Sequence, residues 1–238
     1  MRQDMPAGPE AMQLLRSIAE QLKLPLTNIA RRVELERLRA GAAGSDLANL
    51  SVQTTVALQL VDSYLLGLQL AEEQGTLALE PVSVASTLTD TAHELQALAK
   101  QYGVALEVRI DGRYEPVMAH PAGLKAALLS LGYALVEAEA AQASSGRLVL
   151  AAHRNRYGIV AGLYGEQTDL QAGHWRTALA LCGRAHRPLA DLSAGSGAGL
   201  FVADTILQAM ATRLRVGRHA RRVGLSATLL PSQQLQLV

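Results

Sequence analysis

Aromatic residues make up only 3% of this 238-residue chain, and cysteine occurs once, at position 182. A single cysteine excludes an intrachain disulfide and any cysteine-based zinc cluster. The near-absence of aromatics leaves Leu, Ala and Val to fill the interior, and Leu and Ala favour helices. No apolar run approaches 18 residues, and the chain does not begin with a charged-then-apolar signal pattern, so a soluble, cytoplasmic protein with no membrane insertion is expected. A net charge of +1 gives no global attraction to nucleic acid or anionic membrane. What the chain does have is a hydrophobic content of 49%, enough for a sizeable core in one large or two modest domains.

The N-terminal part carries two apolar stripes. Leu15, Ile18, Leu22, Leu26, Ile29 and Val33 recur at steps of 3 and 4, close to a heptad seam. GAAGS at 41–45 breaks that helix, with Ser45 and Asp46 offering N-caps for the next. Leu47, Leu50, Thr54, Ala57, Val61, Tyr64 and Leu68 then form a second stripe. The pattern predicts an antiparallel helical hairpin over 1–76 that gains most by pairing with a second copy into a four-helix bundle.

The texture changes after Gly75. EPVSV at 80–84 reads as an extended linker, because Pro81 disfavours helix in its neighbour. A helix over 84–101, a strand over 104–110, a turn at 111–114, a short strand at 116–118 and a helix over 122–140 follow. GRLVLAAHR and YGIVAGLYG read as a strand pair, 175–184 and 200–212 as helices, and 213–231 as a terminal β-hairpin. Residues 77–238 are thus expected to form a mixed sheet with helices on one face, and the whole chain is α+β.

Within the first helix, EQLKLPL at 20–26 places Pro25 where a proline removes a backbone donor and costs about 3 kcal/mol. With the order of the parts behind it, this stretch resembles the phosphoacceptor motif of sensor histidine kinases, His-Glu-Leu-Arg-x-Pro-Leu, with Leu22, Lys23, Pro25 and Leu26 in matching places. The resemblance covers nearly the whole chain from residue 10. It implies a dimerising hairpin followed by a Bergerat-type ATP-binding domain, an α/β sandwich. The family's motif carries its proline five residues after the acceptor, which explains a proline inside a helix here.

The departures are as informative as the matches. Glu20 stands where the acceptor histidine would be, and one carboxylate charge is a poor mimic of a phosphate's ~1.5–2. In the helix that in the family holds Mg²⁺ with two asparagines, Ser130 and Ala134 occupy the two places. Serine is a weak magnesium ligand and alanine none. At the adenine-binding box the register brings Tyr164, with Gly165, near the place of the aspartate. The final glycine box survives: Gly195, Gly197 and Gly199 lead into a helix, where backbone N–H groups can meet an anion. These glycines are the vestigial nucleotide contacts that the resemblance implies.

The resemblance with these departures implies a homodimeric, non-catalytic scaffold or regulator in a two-component phosphorelay. It would dock a response regulator or a sensor kinase through Leu22, Lys23, Pro25 and Leu26, with ATP and Mg²⁺ binding weak or absent. An active ATP-dependent kinase or phosphotransferase with divergent motifs is the first alternative. The second is a DNA-associated regulator using Arg213, Arg215, Arg218, Arg221 and Arg222; a solvated strand pair is the simpler reading, since no aromatic stacking partners accompany them. His93 reads as an exposed helix residue and His120, before Pro121, as a cap. His153, His174, His186 and His219 have no metal-ligand spacing.

Overall fold

A computed structural model describes residues 9–40, 45–72, 77–142, 146–165 and 196–232. The helix expected over 175–184, and Gly195, lie outside the described residues.

Two long helices open the chain: α1, Pro9–Ala40, and α2, Ser45–Glu72. Pro25 sits inside α1, on its exposed side, so its missing N–H leaves a solvent-facing gap rather than a buried one. Thr27 Oγ1 donates to the Lys23 carbonyl at 2.7 Å beside it. The two helices are joined laterally by Lys23 Nζ to Asp62 at 2.7 Å and by Arg16 to Glu72 at 3.3 Å. Ala19 and Val33 of α1 are buried.

EPVSV begins as strand β1, Glu80–Val82, rather than as an unpaired linker; it pairs antiparallel with β3, Val117–Ala119. Helix α3, Val84–Gln101, has the expected bounds, and its N-cap Ser83 accepts from the Ser86 N–H. Strand β2, Ala105–Ile110, follows, and after β3 comes helix α4, Pro121–Gln142. His120 caps α4, as expected, by accepting the Gly123 N–H on Nδ1 at 3.1 Å. Strands β4, Arg147–Asn155, and β5, Gly158–Gly165, make the expected antiparallel pair. Helix α5, Ser196–Ala209, leads to the hairpin of β6, Arg215–His219, and β7, Arg222–Leu229.

The main sheet has the order β2-β4-β5-β7-β6, with β2 and β4 parallel and the remaining pairs antiparallel. The expected mixed sheet is present. Its alternation sorts the strands into two faces. Leu148, Leu150, Ile159, Ala161, Leu163, Leu225, Ala227 and Leu229 join the principal core with α3, α4 and α5. Val149, Ala151 and Tyr164 form a separate small cluster on the other face. Helices therefore cover one face among the described residues.

Helix α2 is not confined to the hairpin. Its Leu70 belongs to the principal core, and Val52, Val56, Leu60, Tyr64 and Leu66 pack against it. Gly67 lets α2 approach α5 closely: a Cβ there would sit 3.2 Å from Ile206 Cγ1. The Tyr133 hydroxyl of α4 donates to Gln59 of α2. The physical reason is that α2 has few charged residues and carries leucines and valines on more than one side, so it buries surface against two neighbours at once. It lies between α1 and the helical layer of the sheet.

Candidate functional site

The region that the resemblance singles out is the junction of α4 with the first turn of α5. Ser130 and Ala134 are one turn apart on α4 and face α5. Ser130 is 0% exposed and Ala134 2%. The Ser130 hydroxyl is buried without a hydrogen-bond partner.

The glycine box is placed differently from the sequence expectation. Helix α5 begins at Ser196, not near Leu200, so Gly197 and Gly199 are helical residues rather than parts of a loop. Gly199 is buried directly on α4: a Cβ at 199 would overlap the Ser130 carbonyl oxygen and come within 3.4 Å of the Ala134 Cβ. Glycine here serves close helix packing, which the sequence alone cannot separate from loop flexibility.

Among the described residues, α4 and α5 offer a polyphosphate no unpaired cation at this junction. Helix α4 carries one cation, Lys125, which is paired with Glu94 at 2.5 Å, and two carboxylates, Glu137 and Glu139. Burial raises the pKa of the Glu137 carboxyl, two turns along the same α4 stripe as Ser130 and Ala134. Helix α5 has no cation, and its Asp204 is engaged by the Leu214 N–H at 3.1 Å and by Gln208 at 2.6 Å, which fixes the entry to β6. A site for Mg²⁺-nucleotide needs oxygen ligands for the metal and donors for the phosphates. These residues offer one buried neutral hydroxyl and the N-terminus of α5, and they do not fit that group.

The adenine end also differs from the expectation. Tyr164 does not face the helices; its side chain lies on the opposite face of the sheet with Val149 and Ala151. The alternation of β5 gives the helix side to Ile159, Ala161, Leu163 and then Gly165. At the end of the strand, only a glycine is available to that side.

On the hairpin, Glu20 is exposed and accepts from Arg16 Nε at 3.3 Å, while Arg16 also reaches Glu72. Leu22, Lys23 and Pro25 are exposed and Leu26 is half-buried against α2. The apolar stripe of α1 is thus divided. Ile18, Leu22 and Ile29 face solvent, while Leu26 and Val33 turn inward. Leu22 is 50% exposed, Leu24 68%. His93 is exposed, as expected. Among the described residues no group of three His, Cys, Asp or Glu could hold a metal ion, and no helix is long and apolar enough to cross a membrane.

Sequence reasoning missed the seat of α2 on α4 and α5. A signal was present: α2 carries only Asp46, Asp62 and Glu72 as charged residues in 28, too few for a surface helix.

No protein-family model matches the chain, and no curated protein matches it by sequence. Solved structures do match. Full-length ShkA, solved in complex with AMPPNP, is similar over 92% of this chain at 17% identity and a TM-score of 0.60; the match spans 46% of the ShkA chain. The catalytic domain of the histidine kinase ThkA matches 65% of this chain and 96% of its own length, at 9% identity and a TM-score of 0.50. The Acinetobacter baumannii histidine kinase AdeS matches over 87% of this chain and 96% of its own, at 13% identity and a TM-score of 0.50. At such identities the likeness is one of fold. It joins the helical N-terminal part and the mixed α+β sandwich in one architecture, and that architecture is the fold of a histidine-kinase core.

Proposed function

We propose that the chain is a non-catalytic histidine-kinase-like scaffold or regulator in two-component signalling. It dimerises through its helical hairpin and docks a response regulator or a sensor kinase on α1. The observation that carries this reading is the α4–α5 junction. Where the resemblance calls for magnesium-holding side chains, Ser130 and Ala134 are sealed beneath Gly199, without an unpaired lysine or arginine on either helix. Glu20 at the acceptor position supports it independently, since it is engaged by Arg16.

The exposed leucines of α1 support a dimer. Ile18, Leu22 and Ile29 follow helical spacing on a helix whose other side is covered by α2. Each leucine buried on association contributes about 1.5–3 kcal/mol. Lys23 and Pro25, beside the same stripe, are in reach of a docked partner.

The test is calorimetric titration of the purified protein with ATP and Mg²⁺. The expected affinity is weaker than about 1 mM, a binding free energy no larger than roughly 4 kcal/mol. Radiolabelled ATP is expected to leave no acid-labile, base-stable label, and Glu20→His is expected not to restore it. Micromolar binding, or phosphohistidine in that variant, returns the chain to the active-kinase reading.

A further inference from the structure

The face of the sheet away from the helices holds an arrangement that the kinase-like reading does not use. Strands β2 and β6 are the two outer edges of the five-stranded sheet. In a flat sheet, four strand spacings would separate them by roughly 19 Å. Yet His219, at the end of β6, places Nε2 3.5 Å from Oδ2 of Asp111, the residue after β2. The sheet must therefore curl until the end of the β6–β7 hairpin lies over its own back face.

The His219 side chain is held beneath that end. Its ring stacks on His153 of β4, with centroids 5.3 Å apart and planes 23° apart. It meets Tyr164 of β5 at 5.4 Å. Below lie Val149, Ala151 and Tyr164, each 0% exposed. The terminal turn is strained: Ala220 and Arg221 adopt φ of +46° and +68°, a region that favours glycine. The histidine contacts fix the tip to the sheet.

The other groups around the stack come from every strand. Asp111 follows β2, and Glu107 on β2 is paired with Arg109 at 2.5 Å. Arg147 of β4 and Arg222 of β7 lie close enough to Glu107 to lower its pKa, after the larger effect of Arg109. Arg215 of β6 is exposed. The Tyr164 hydroxyl, opposite Ser226 of β7, lacks a well-formed hydrogen bond, and His153 Nδ1 is buried without a partner. Asp111 gives its carboxylate to one imidazole of the stack, His219, and three arginines surround the other carboxylate, Glu107.

We propose that the end of the β6–β7 hairpin is a proton-sensitive flap, released when His153 takes up a proton beneath it, and that its release uncovers Val149, Ala151 and Tyr164. Burial lowers the pKa of His153 from its ordinary 6.5, His219 lowers it further, and Asp111 opposes them. The released form, with His153 in water, binds the proton more tightly than the closed form. The closed state therefore holds above about pH 6.5 and weakens as pH falls below it, by up to about tenfold per pH unit.

Hydrogen exchange on the full chain at pH 7.5 and 5.5, corrected for the intrinsic pH dependence of amide exchange, tests this. Protection of residues 215–224 is expected to drop by up to about tenfold at the lower pH, while α4 stays unchanged. His153→Phe keeps the ring without the charge and is expected to remove the pH dependence. Asp111→Asn, at an exposed position, is expected to loosen the tip already at pH 7.5. Protection independent of pH in the unaltered chain, or an equal loss in His153→Phe, overturns the proposal. Should His153→Phe not fold, the His153 ring protons of the unaltered chain decide by NMR: a midpoint below 6.5 is expected, and one at or above 6.5 overturns it.

Discussion

Helices α1 and α2 lie side by side, both long and both leucine-rich, yet they meet opposite surroundings. Helix α2 is packed on two sides, by α1 on one and by α4 and α5 on the other, although Leu50 near its start is 43% exposed. Helix α1 is covered on one side and presents Ile18, Leu22, Leu24 and Ile29 to solvent. The difference lies in their charged residues. Helix α1 interleaves its leucines with arginines, lysine and glutamates, which keep one side wet. Helix α2 has only three acidic residues, and nothing in its sequence resists burial. Two leucine-rich helices thus divide the work, the less charged one anchoring to the sandwich and the more charged one displaying a stripe.

The largest effect that would break this contrast is a truncation inside α2. Leu70 is 1% exposed, and Leu70→Ala is expected to destabilise the fold by about 2–5 kcal/mol. A denaturant midpoint measures it, and a loss under 1 kcal/mol would mean that α2 is not anchored as described. On α1 the expectation reverses. The pair Ile18→Asp and Leu22→Asp should convert dimer to monomer at micromolar concentration in light scattering. The stability of each chain should shift by only about 0.5 kcal/mol per substitution, as at ordinary surface positions. An unaltered protein that is already monomeric removes the dimer.

Smaller again is the ionic seam between the two helices. Lys23 and Asp62 are each about half exposed, so a double-mutant cycle to alanine should give a coupling of about 0.2–1 kcal/mol that shrinks in high salt. A salt-insensitive coupling above that range would indicate a drier junction. The smallest effect is expected at Glu20. Its ion pair with Arg16 is solvent-exposed, and Glu20→Ala should change thermal stability by no more than a few tenths of a kcal/mol. Any larger change would give Glu20 a role in holding the hairpin.

Much of the fold was legible where a local pattern met a local cause. Helix α3 matched at both ends because Ser83 is an N-cap and Gly103 follows its close. The β4–β5 pair was readable from two short apolar runs around a turn at Asn155, whose side chain accepts from the Tyr157 and Gly158 N–H groups. The start of α5 was misplaced because three glycines look like a loop, whereas Gly199 is a contact point on Ser130. The register placed Tyr164 near the position of the family's aspartate, but alignment to a motif gives a position along a strand and not the side to which it points, and Tyr164 points away from the helices. The candidate acceptor and magnesium positions could be named from the sequence; their burial could not.

The sequence by itself determined the order of the elements, the two apolar stripes, and the absence of histidine at position 20 and of asparagine at 130 and 134. Those follow from residue identity and from periods of 3.6 and 2, which need only neighbours along the chain. Tertiary structure alone decided that α2 is packed on two sides, that Gly199 seals α4, and that His219 crosses from one sheet edge to Asp111 at the other. Each of these joins residues from distant parts of the chain, and it is the coiling of the sheet and the layering of the helices upon it that set such distances.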